Sequence, residues 1–140
     1  PLIMSVYTGL AEKAASVATE KAKIKADDPI TALQLGEMQN LLVTAQMATD
    51  SMIELCDDLA FMPNEVLTSQ VLSRKTICAH AVIGVAEKAL EVTGGAGFMR
   101  KAGIERLLRD AHAGQIHPLP EKRQQMFSGR VALGLTPVAS

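Results

Sequence analysis

The chain has 140 residues and a formal net charge of −1, and 48% of its residues are hydrophobic although only 3% are aromatic. That length suits one domain, and the near-neutral charge gives no signal for binding to nucleic acid or to an acidic membrane surface. No apolar run reaches the roughly 18 residues that a membrane-spanning helix needs, so we expect no membrane span.

The first predicted helix runs from about residue 3 to residue 25, followed by a break at Asp27-Asp28-Pro29. Lys21, Lys23 and Lys25 fall in its last turns, where a cation complements the negative end of the helix dipole. Positions three or four residues apart predict one shared, buried face. These positions are Ile3, Val6, Leu10, Ala14, Val17, Lys21 and Ile24.

The second predicted helix starts with Asp28 as its N-cap and Pro29 at its first position, where a missing N–H costs nothing. It is predicted to end near Phe61-Met62-Pro63. A strict alternation of three-residue and four-residue steps predicts a long apolar seam. The seam consists of Leu35, Met38, Leu42, Ala45, Thr49, Met52, Cys56 and Leu59.

The third predicted helix is capped by Asn64, runs to about Thr93 and is stopped by Gly94-Gly95. Its predicted buried stripe consists of Leu67, Val71, Cys78, Val82, Val85, Ala89 and Val92. The two cysteines, Cys56 and Cys78, both fall on apolar stripes and are interpreted as reduced, buried thiols in a reducing compartment.

A fourth, shorter helix is predicted over residues 103–116, with Pro118 and Pro120 ending it and a last helical stretch over residues 121–133. Helices of about 30 residues are about 45 Å long, and short connections force neighbouring helices to be antiparallel. The predicted fold is therefore all-α: a single domain over residues 1–140 that forms an antiparallel, up-down-up-down four-helix bundle.

Several metal and nucleotide sites are excluded by spacing. None of His80, His112 and His117 has a Glu three residues before it, as a di-iron bundle requires, and the Cys/His spacing fits no zinc pattern. The glycines at 94–97 follow a predicted helix rather than a strand, and Arg100 stands where a dinucleotide fingerprint needs its third Gly. We expect no metal site.

Two stretches remain, Gly94-Gly95-Ala96-Gly97-Phe98 and residues 105–111, which read Glu-Arg-Leu-Leu-Arg-Asp-Ala. The glycines could simply turn the chain, or they could leave peptide groups bare for close approach of a ligand. Together the two stretches resemble the signature of the acyl-CoA dehydrogenase family, in its C-terminal helical domain. Lys75 and the stretch Leu35-Gly36-Glu37-Met38 add weaker likeness.

The resemblance implies a homotetrameric FAD enzyme of three domains, in which this chain would be the third. Such enzymes take an α-proton from an acyl-CoA and pass the β-hydride to the flavin. The bend residues Gly94, Gly95, Ala96 and Gly97 would contact the FAD of a neighbouring subunit, and Glu91 stands where many members have a Gln beside that FAD. By this resemblance the protein would serve fatty acid metabolism.

Two features depart from the family pattern. Many members hold the FAD pyrophosphate with an Arg at the end of the first helix, whereas this chain has Lys23 and Lys25 there. Either lysine could supply the charge, or both could form a solvated cationic helix end. The catalytic Glu of many members corresponds to Pro118, which cannot take a proton.

His117 is the candidate catalytic residue, because a flavin-dependent monooxygenase branch of the same fold has a His at about this place and an imidazole can exchange protons near neutral pH. A His beside Pro118 could also be an inert part of a rigid turn. Other members carry the base on the first helix, which makes Glu12 and Glu20 further candidate bases.

Between residues 100 and 130, seven Lys or Arg stand against three acids, which could face a pyrophosphate or be a solvated surface. The chain starts at Pro1 without Met and is interpreted as a fragment that is inactive alone, self-associates as a homodimer or homotetramer, and contributes to an acyl-CoA site. The alternatives are a flavin monooxygenase and a non-catalytic helical oligomerisation module. The expected location is the cytoplasm, or the mitochondrial matrix in a eukaryote.

Overall fold

The computed structural model describes residues 1–60 and 62–138, and all regular structure in these ranges is helical. The five α-helices are α1 (Leu2–Ala22), α2 (Pro29–Leu55), α3 (Glu65–Thr93), α4 (Ile104–His112) and α5 (Glu121–Ala132). Short 3-10 turns connect them. The predicted all-α class is confirmed.

The predicted starts of α2 and α3 are confirmed in atomic detail. The Asp28 carboxylate accepts hydrogen bonds from the backbone N–H of Thr31 at 3.0 Å and from its hydroxyl at 2.6 Å. These bonds hold the pKa of Asp28 below its usual value, and the bond from the Thr31 hydroxyl has the largest effect. The Asn64 side chain accepts from the backbone N–H of Leu67 at 2.9 Å, so both helices begin at a side-chain cap.

The predicted end of α2 is wrong. The helix ends at Leu55, and a 3-10 turn over Asp57–Leu59 follows. Asp57 and Leu59 have φ values of 42° and 73°, in the left-handed region that an α-helix cannot include. The predicted end near residues 61–63 falls partly on Phe61, which lies outside the described residues.

The helices form a four-rod bundle in which α4 and α5, in series, make the fourth rod. α3 packs against α1, α2, α4 and α5, and α1 also packs against α2 and α4. The helix predicted over 103–116 is α-helical only in α4 and passes into a 3-10 turn at Ala113–Gln115. The last helical stretch, predicted over 121–133, is confirmed by α5.

The bundle has two ends, which we name for the residues they carry. The glycine end contains the α1–α2 connection and the segment after α3, and the Gln34 amide donates to Glu91 at 3.0 Å across it. The histidine end contains the start of α1, the end of α2, the first turns of α3 and the turn between α4 and α5 that carries His117.

The predicted buried face of α1 is largely wrong. Ile3, Val6 and Ile24 are 49%, 72% and 90% exposed. The buried face consists instead of Met4, Thr8, Ala11, Ala14, Ala15, Ala18 and Ala22. Small side chains let α1 lie close against the bundle, so alanines rather than the larger residues fill its inner face.

The predicted faces of α2 and α3 are confirmed. Met38, Leu42, Ala45, Thr49, Met52 and Cys56 are buried on α2, although Leu59, beyond the end of the helix, is 51% exposed. On α3 the stripe through Cys78, Val82, Val85 and Ala89 is buried. On these two helices the regular apolar spacing therefore identified the buried side, although large apolar residues such as Val43, Met47 and Ile77 are exposed.

The two cysteines are free and buried. Cys78 belongs to a small polar cluster inside the core, in which the Thr8 and Thr49 hydroxyl oxygens are 2.8 Å apart and Thr49 lies 3.3 Å from the Cys78 sulfur. The hydroxyls thus satisfy one another where water is excluded. Across the described ranges, every helix is too short or too polar to cross a membrane.

Candidate functional site

His117 is held by Tyr7, which projects from α1. The Tyr7 hydroxyl oxygen lies 2.9 Å from Nε2 of His117, and the two rings meet edge to face with centroids 5.6 Å apart. Burial, together with the charge of Asp110, raises the pKa of Tyr7, so this hydroxyl stays protonated. It either donates to Nε2 or accepts from Nε2–H, according to the tautomer of His117. Gly114, in the 3-10 turn after α4, is also buried next to Tyr7. A Cβ at this position would lie 3.6 Å from the Tyr7 ring.

Lys75, on α3, supports the turn that carries His117. Its side chain is only 7% exposed, and its ammonium donates to the carbonyl oxygen of Leu119 at 3.3 Å. Burial lowers the pKa of Lys75, and the charge of Glu121 partly opposes that shift. A buried cation next to the candidate His makes this end of the bundle electropositive inside.

A cavity of about 370 Å³ opens beside these residues, within the size range of small-molecule sites. Aliphatic side chains and Met form most of its wall. It is lined by Pro1, Leu2, Ile3, Met4, Met52, Leu59, Val71, Leu72, Lys75, His117 and Pro118. In the part of the chain that the structure describes, the polar side chains of this wall are the basic ones of Lys75 and His117, and none is a carboxylate.

The glycine end presents backbone instead. α3 ends at Thr93, and Gly94 takes a φ of 58°, which suits glycine because it has no Cβ. Gly94, Gly95 and Ala96 are exposed, whereas Gly97 is buried. A Cβ on Gly94 or Gly95 would meet nothing within 4 Å, but one on Gly97 would overlap the Thr93 hydroxyl.

Glu91 is already engaged by its own chain. Its carboxylate lies 2.8 Å from the Lys88 ammonium and accepts from the Gln34 amide at 3.0 Å. The bond from Lys88 holds the pKa of Glu91 below its usual value. Glu37 and Glu91 together raise the pKa of Lys88 to about 12. The Glu91 charge is thus partly neutralised beside the bend.

A second hollow, of about 490 Å³, lies next to the bend. Arg100, Arg109 and His112 contribute its basic groups, Glu105 contributes a carboxylate, and Phe98 contributes an aromatic ring. Arg109 also bonds Asp110 at 3.0 Å. The excess of basic residues after residue 100 is therefore concentrated, in part, beside the exposed peptide groups of the bend.

Lys23 and Lys25 lie in the 3-10 turn after α1, at the same end of the bundle as the bend. Lys23 pairs with Glu20 at 2.6 Å, and both lysines are exposed. His117 does not join them. It lies by Lys75, which is 18 residues before the end of α3, or about 27 Å along the helix axis. The predicted site residues thus form two groups.

The sequence matches the model of the acyl-CoA dehydrogenase C-terminal domain over residues 3–121. The chain belongs to this family. Cyclohex-1-ene-1-carbonyl-CoA dehydrogenase of Geobacter metallireducens is 27% identical over 132 residues, which cover 89% of this chain and 34% of that protein. The chain therefore spans about a third of the length of that curated relative.

Solved structures share the fold. The structure of KijD3 in complex with FMN and a dTDP-linked amino sugar superposes with a TM-score of 0.86 at 21% identity, over 95% of this chain and 35% of that one. The HsaA monooxygenase from M. tuberculosis superposes with a TM-score of 0.73 at 21% identity, over 92% of this chain and 37% of that one.

The other candidate bases lie away from the cavity. Glu12 is exposed and accepts a hydrogen bond from the Gln46 amide at 2.8 Å, and Glu20 is paired with Lys23 on the surface. Neither contributes to the wall of the cavity beside His117.

Sequence reasoning missed Tyr7 and gave Lys75 only a passing likeness. Tyr7 is the chain's one tyrosine, on a helix whose inner face was assigned to other positions, and its partner is 110 residues away. No local spacing connects the two. The sequence does offer one signal for Lys75. It lies on the predicted apolar stripe of α3, and a Lys is rarely buried on such a stripe without a partner.

Proposed function

We propose that this chain is the C-terminal domain of a three-domain, FAD-dependent enzyme of acyl-CoA dehydrogenase type. The observation that carries the proposal is the family match over residues 3–121 combined with the exposure of Gly94, Gly95 and Ala96. The domain would provide subunit association, one wall of the acyl pocket and a contact to the FAD of a neighbouring subunit. Alone it would be inactive.

The glycine end fits an anionic, partly flat cofactor. A Cβ on Gly94 or Gly95 would meet no atom within 4 Å, so a ligand can approach the backbone there. Arg100 and Arg109 can pair with phosphate oxygens, and Phe98 offers an apolar face. Lys23 and Lys25 would add charge at this end without the bidentate grip of an Arg. Glu91 would act through Lys88 rather than by direct contact.

At the histidine end the proposed base is His117. Bound FAD would supply the hydride acceptor. His117 would take the substrate proton at Nδ1, in the tautomer whose Nε2–H donates to the Tyr7 hydroxyl oxygen 2.9 Å away, and this bond would orient the ring. The aliphatic wall of the cavity would exclude water from an acyl chain. Pro118, at the position of the family Glu, lines the same cavity and leaves this role to its neighbour.

A flavin-dependent monooxygenase of the same fold is the second candidate. The observation in its favour is that the described wall of the cavity carries imidazole and amine groups but no carboxylate. A third candidate, a helical association module without flavin, would need no cavity and no bare bend.

We further propose a homodimeric or homotetrameric assembly, action in fatty acid metabolism, and a cytoplasmic or mitochondrial-matrix location.

The deciding experiment uses the purified full-length protein. Dye reduction with a series of acyl-CoAs would support the dehydrogenase, whereas oxygen-dependent hydroxylation with added reduced flavin would support the monooxygenase. A colourless protein that takes up no added FAD would support the association module and contradict both. The mass of the native polypeptide tests the domain proposal, since it should be about three times that of this chain, given the 34% share of the relative that it covers.

A further inference from the structure

Lys75 has more hydrogen-bonding capacity than its surroundings use. An ammonium carries three N–H donors, and the contact found for this one is to the Leu119 carbonyl at 3.3 Å, a long bond to a neutral acceptor. The side chain is more than nine-tenths buried and lies in the wall of the cavity. A buried cation with such weak compensation is costly unless an anion pairs with it.

Glu121, the acid whose charge acts on Lys75, is engaged by other side chains. Glu121 bonds Nε2 of His80 at 2.8 Å with one carboxylate oxygen, and its other oxygen accepts from Lys122 and Gln125. Its influence on Lys75 is a through-space charge effect rather than a hydrogen bond. No carboxylate is among the described residues that line the cavity, which leaves the charge of the ammonium available to an anionic ligand.

The rest of the wall defines the body of that ligand. It is aliphatic, with Met4 and Met52 fully buried behind it, and such a wall favours an apolar chain or ring. One buried ammonium balances one negative charge, which suits a monoanion better than a phosphate dianion. With Nε2 of His117 bonded to Tyr7, Nδ1 can donate to the second oxygen of the ligand when it carries a proton.

We propose that the cavity at the histidine end binds a small apolar monocarboxylate, with its carboxylate paired to Lys75 and its apolar body against the aliphatic wall. The proposal deepens the proposed function and rests on it, because it takes the cavity of the acyl pocket as its site. It assigns to that pocket a free acid as a ligand and to Lys75 the recognition of its charge.

The test compares the binding of octanoate with that of octanamide, which matches it in shape but is neutral. Both affinities are measured by isothermal titration calorimetry on the purified full-length protein. Octanoate should bind about 10- to 100-fold more tightly, the range for hydrogen bonds to a charged partner. Lys75→Met should abolish this preference and Lys75→Arg should keep it. Lys101→Met, at an exposed lysine, is the matched control and should bind like the wild type.

Equal affinity for the two ligands in the wild type would overturn the proposal, and this comparison depends on no variant folding correctly. A preference that survives in Lys75→Met would overturn it as well. FAD uptake, measured on the same protein, separates the two proposals. Protein that takes up no FAD but prefers octanoate contradicts the flavin enzyme alone, whereas protein that oxidises acyl-CoAs without the preference contradicts the carboxylate site alone.

Discussion

At the glycine end the surface open to a ligand is backbone, whereas at the histidine end it is a set of side chains drawn from three helices and a turn. The bend exposes Gly94, Gly95 and Ala96 within three consecutive positions. The histidine end brings together Lys75 and His117, which line the cavity, and Tyr7, which contacts His117, although the three are spread over 110 residues of sequence.

This difference explains why one end can be recognised in the sequence and the other cannot. A backbone surface requires glycines in a row, because only they tolerate the geometry and leave the peptide groups bare. A side-chain cavity requires only that distant residues meet in three dimensions, and its residue types need no fixed spacing. Mutations at the two ends are therefore expected to affect different properties: turnover at the histidine end, and stability or FAD affinity at the glycine end.

The largest expected effect is that of His117→Ala on turnover of the full-length protein. Loss of the proposed base should lower kcat by about 10²- to 10⁴-fold, the usual contribution of a general base. The assay is whichever of dye reduction and hydroxylation the wild type performs. His80→Ala is the matched control, because His80 is exposed and bonds Glu121 outside the cavity. Turnover within twofold of wild type in His117→Ala would remove the residue from the mechanism.

At the glycine end the largest expected effect is on stability. Gly97→Ala would place a Cβ against the Thr93 hydroxyl, which donates to the Ala89 carbonyl at 2.8 Å. We expect a loss of about 1–3 kcal/mol in the free energy of unfolding, as for other overpacked sites, measured by urea denaturation.

Gly95→Ala is the control for this prediction. Its Cβ would meet nothing within 4 Å, so stability should change by less than about 0.5 kcal/mol, while FAD affinity of the full-length protein should fall. Equal stability losses in the two variants would mean that the bend is uniformly packed and has no face open to a cofactor.

A smaller effect is expected from Tyr7→Phe, which removes the 2.9 Å contact to His117. One hydrogen bond contributes about 0.5–1.5 kcal/mol to stability. Because the pKa of Tyr7 is raised in the folded protein, the wild type should also lose stability as the pH rises above 10, and the variant should not lose that part. Chemical denaturation at pH 8 and pH 11 measures both. Identical pH dependence in the two proteins would contradict the claim that folding raises the pKa of the partly buried Tyr7 hydroxyl.

The smallest expected effect concerns Glu91. Its pKa is lowered in the folded protein by Lys88, so its contribution to stability is present above its unfolded pKa and is lost as the pH falls below it. Glu91→Gln should therefore flatten the decline of stability below about pH 4.5, near the ordinary Glu value. Glu12→Gln, which removes an exposed carboxylate from α1, is the comparison. If the free energy of unfolding of Glu91→Gln fell more steeply with acid than that of the wild type, the assigned lowering of the Glu91 pKa would be contradicted.

Much of the fold could be predicted from local rules. Asp28 and Asn64 cap their helices as their residue types and positions indicate, and the regular seam of α2 identifies its buried side. The face of α1 could not be predicted this way, because apolar spacing selected Val6 and Ile24 whereas close packing buries alanines. Helix spacing records hydrophobicity but not how closely a neighbouring helix approaches.

The candidate site was predictable to the same uneven degree. The bend at 94–97 and its exposure follow from the glycines, and its family signature identifies the domain. The environment of His117 does not follow from sequence, since neither Tyr7 nor the break after His112 that brings the turn to α1 has a local signal. The two-group arrangement of the site became visible only with the packing of α4 and α5 on α3.

The most direct test of the cofactor proposal is hydrogen–deuterium exchange of the full-length protein with and without FAD. Peptide groups that contact the cofactor are shielded from exchange when it is bound. We expect the amides of residues 94–96 to exchange markedly more slowly with FAD, while those of the exposed segment 133–135 after α5 are unchanged. Exchange at the bend that is the same with and without bound FAD would contradict the proposed contact.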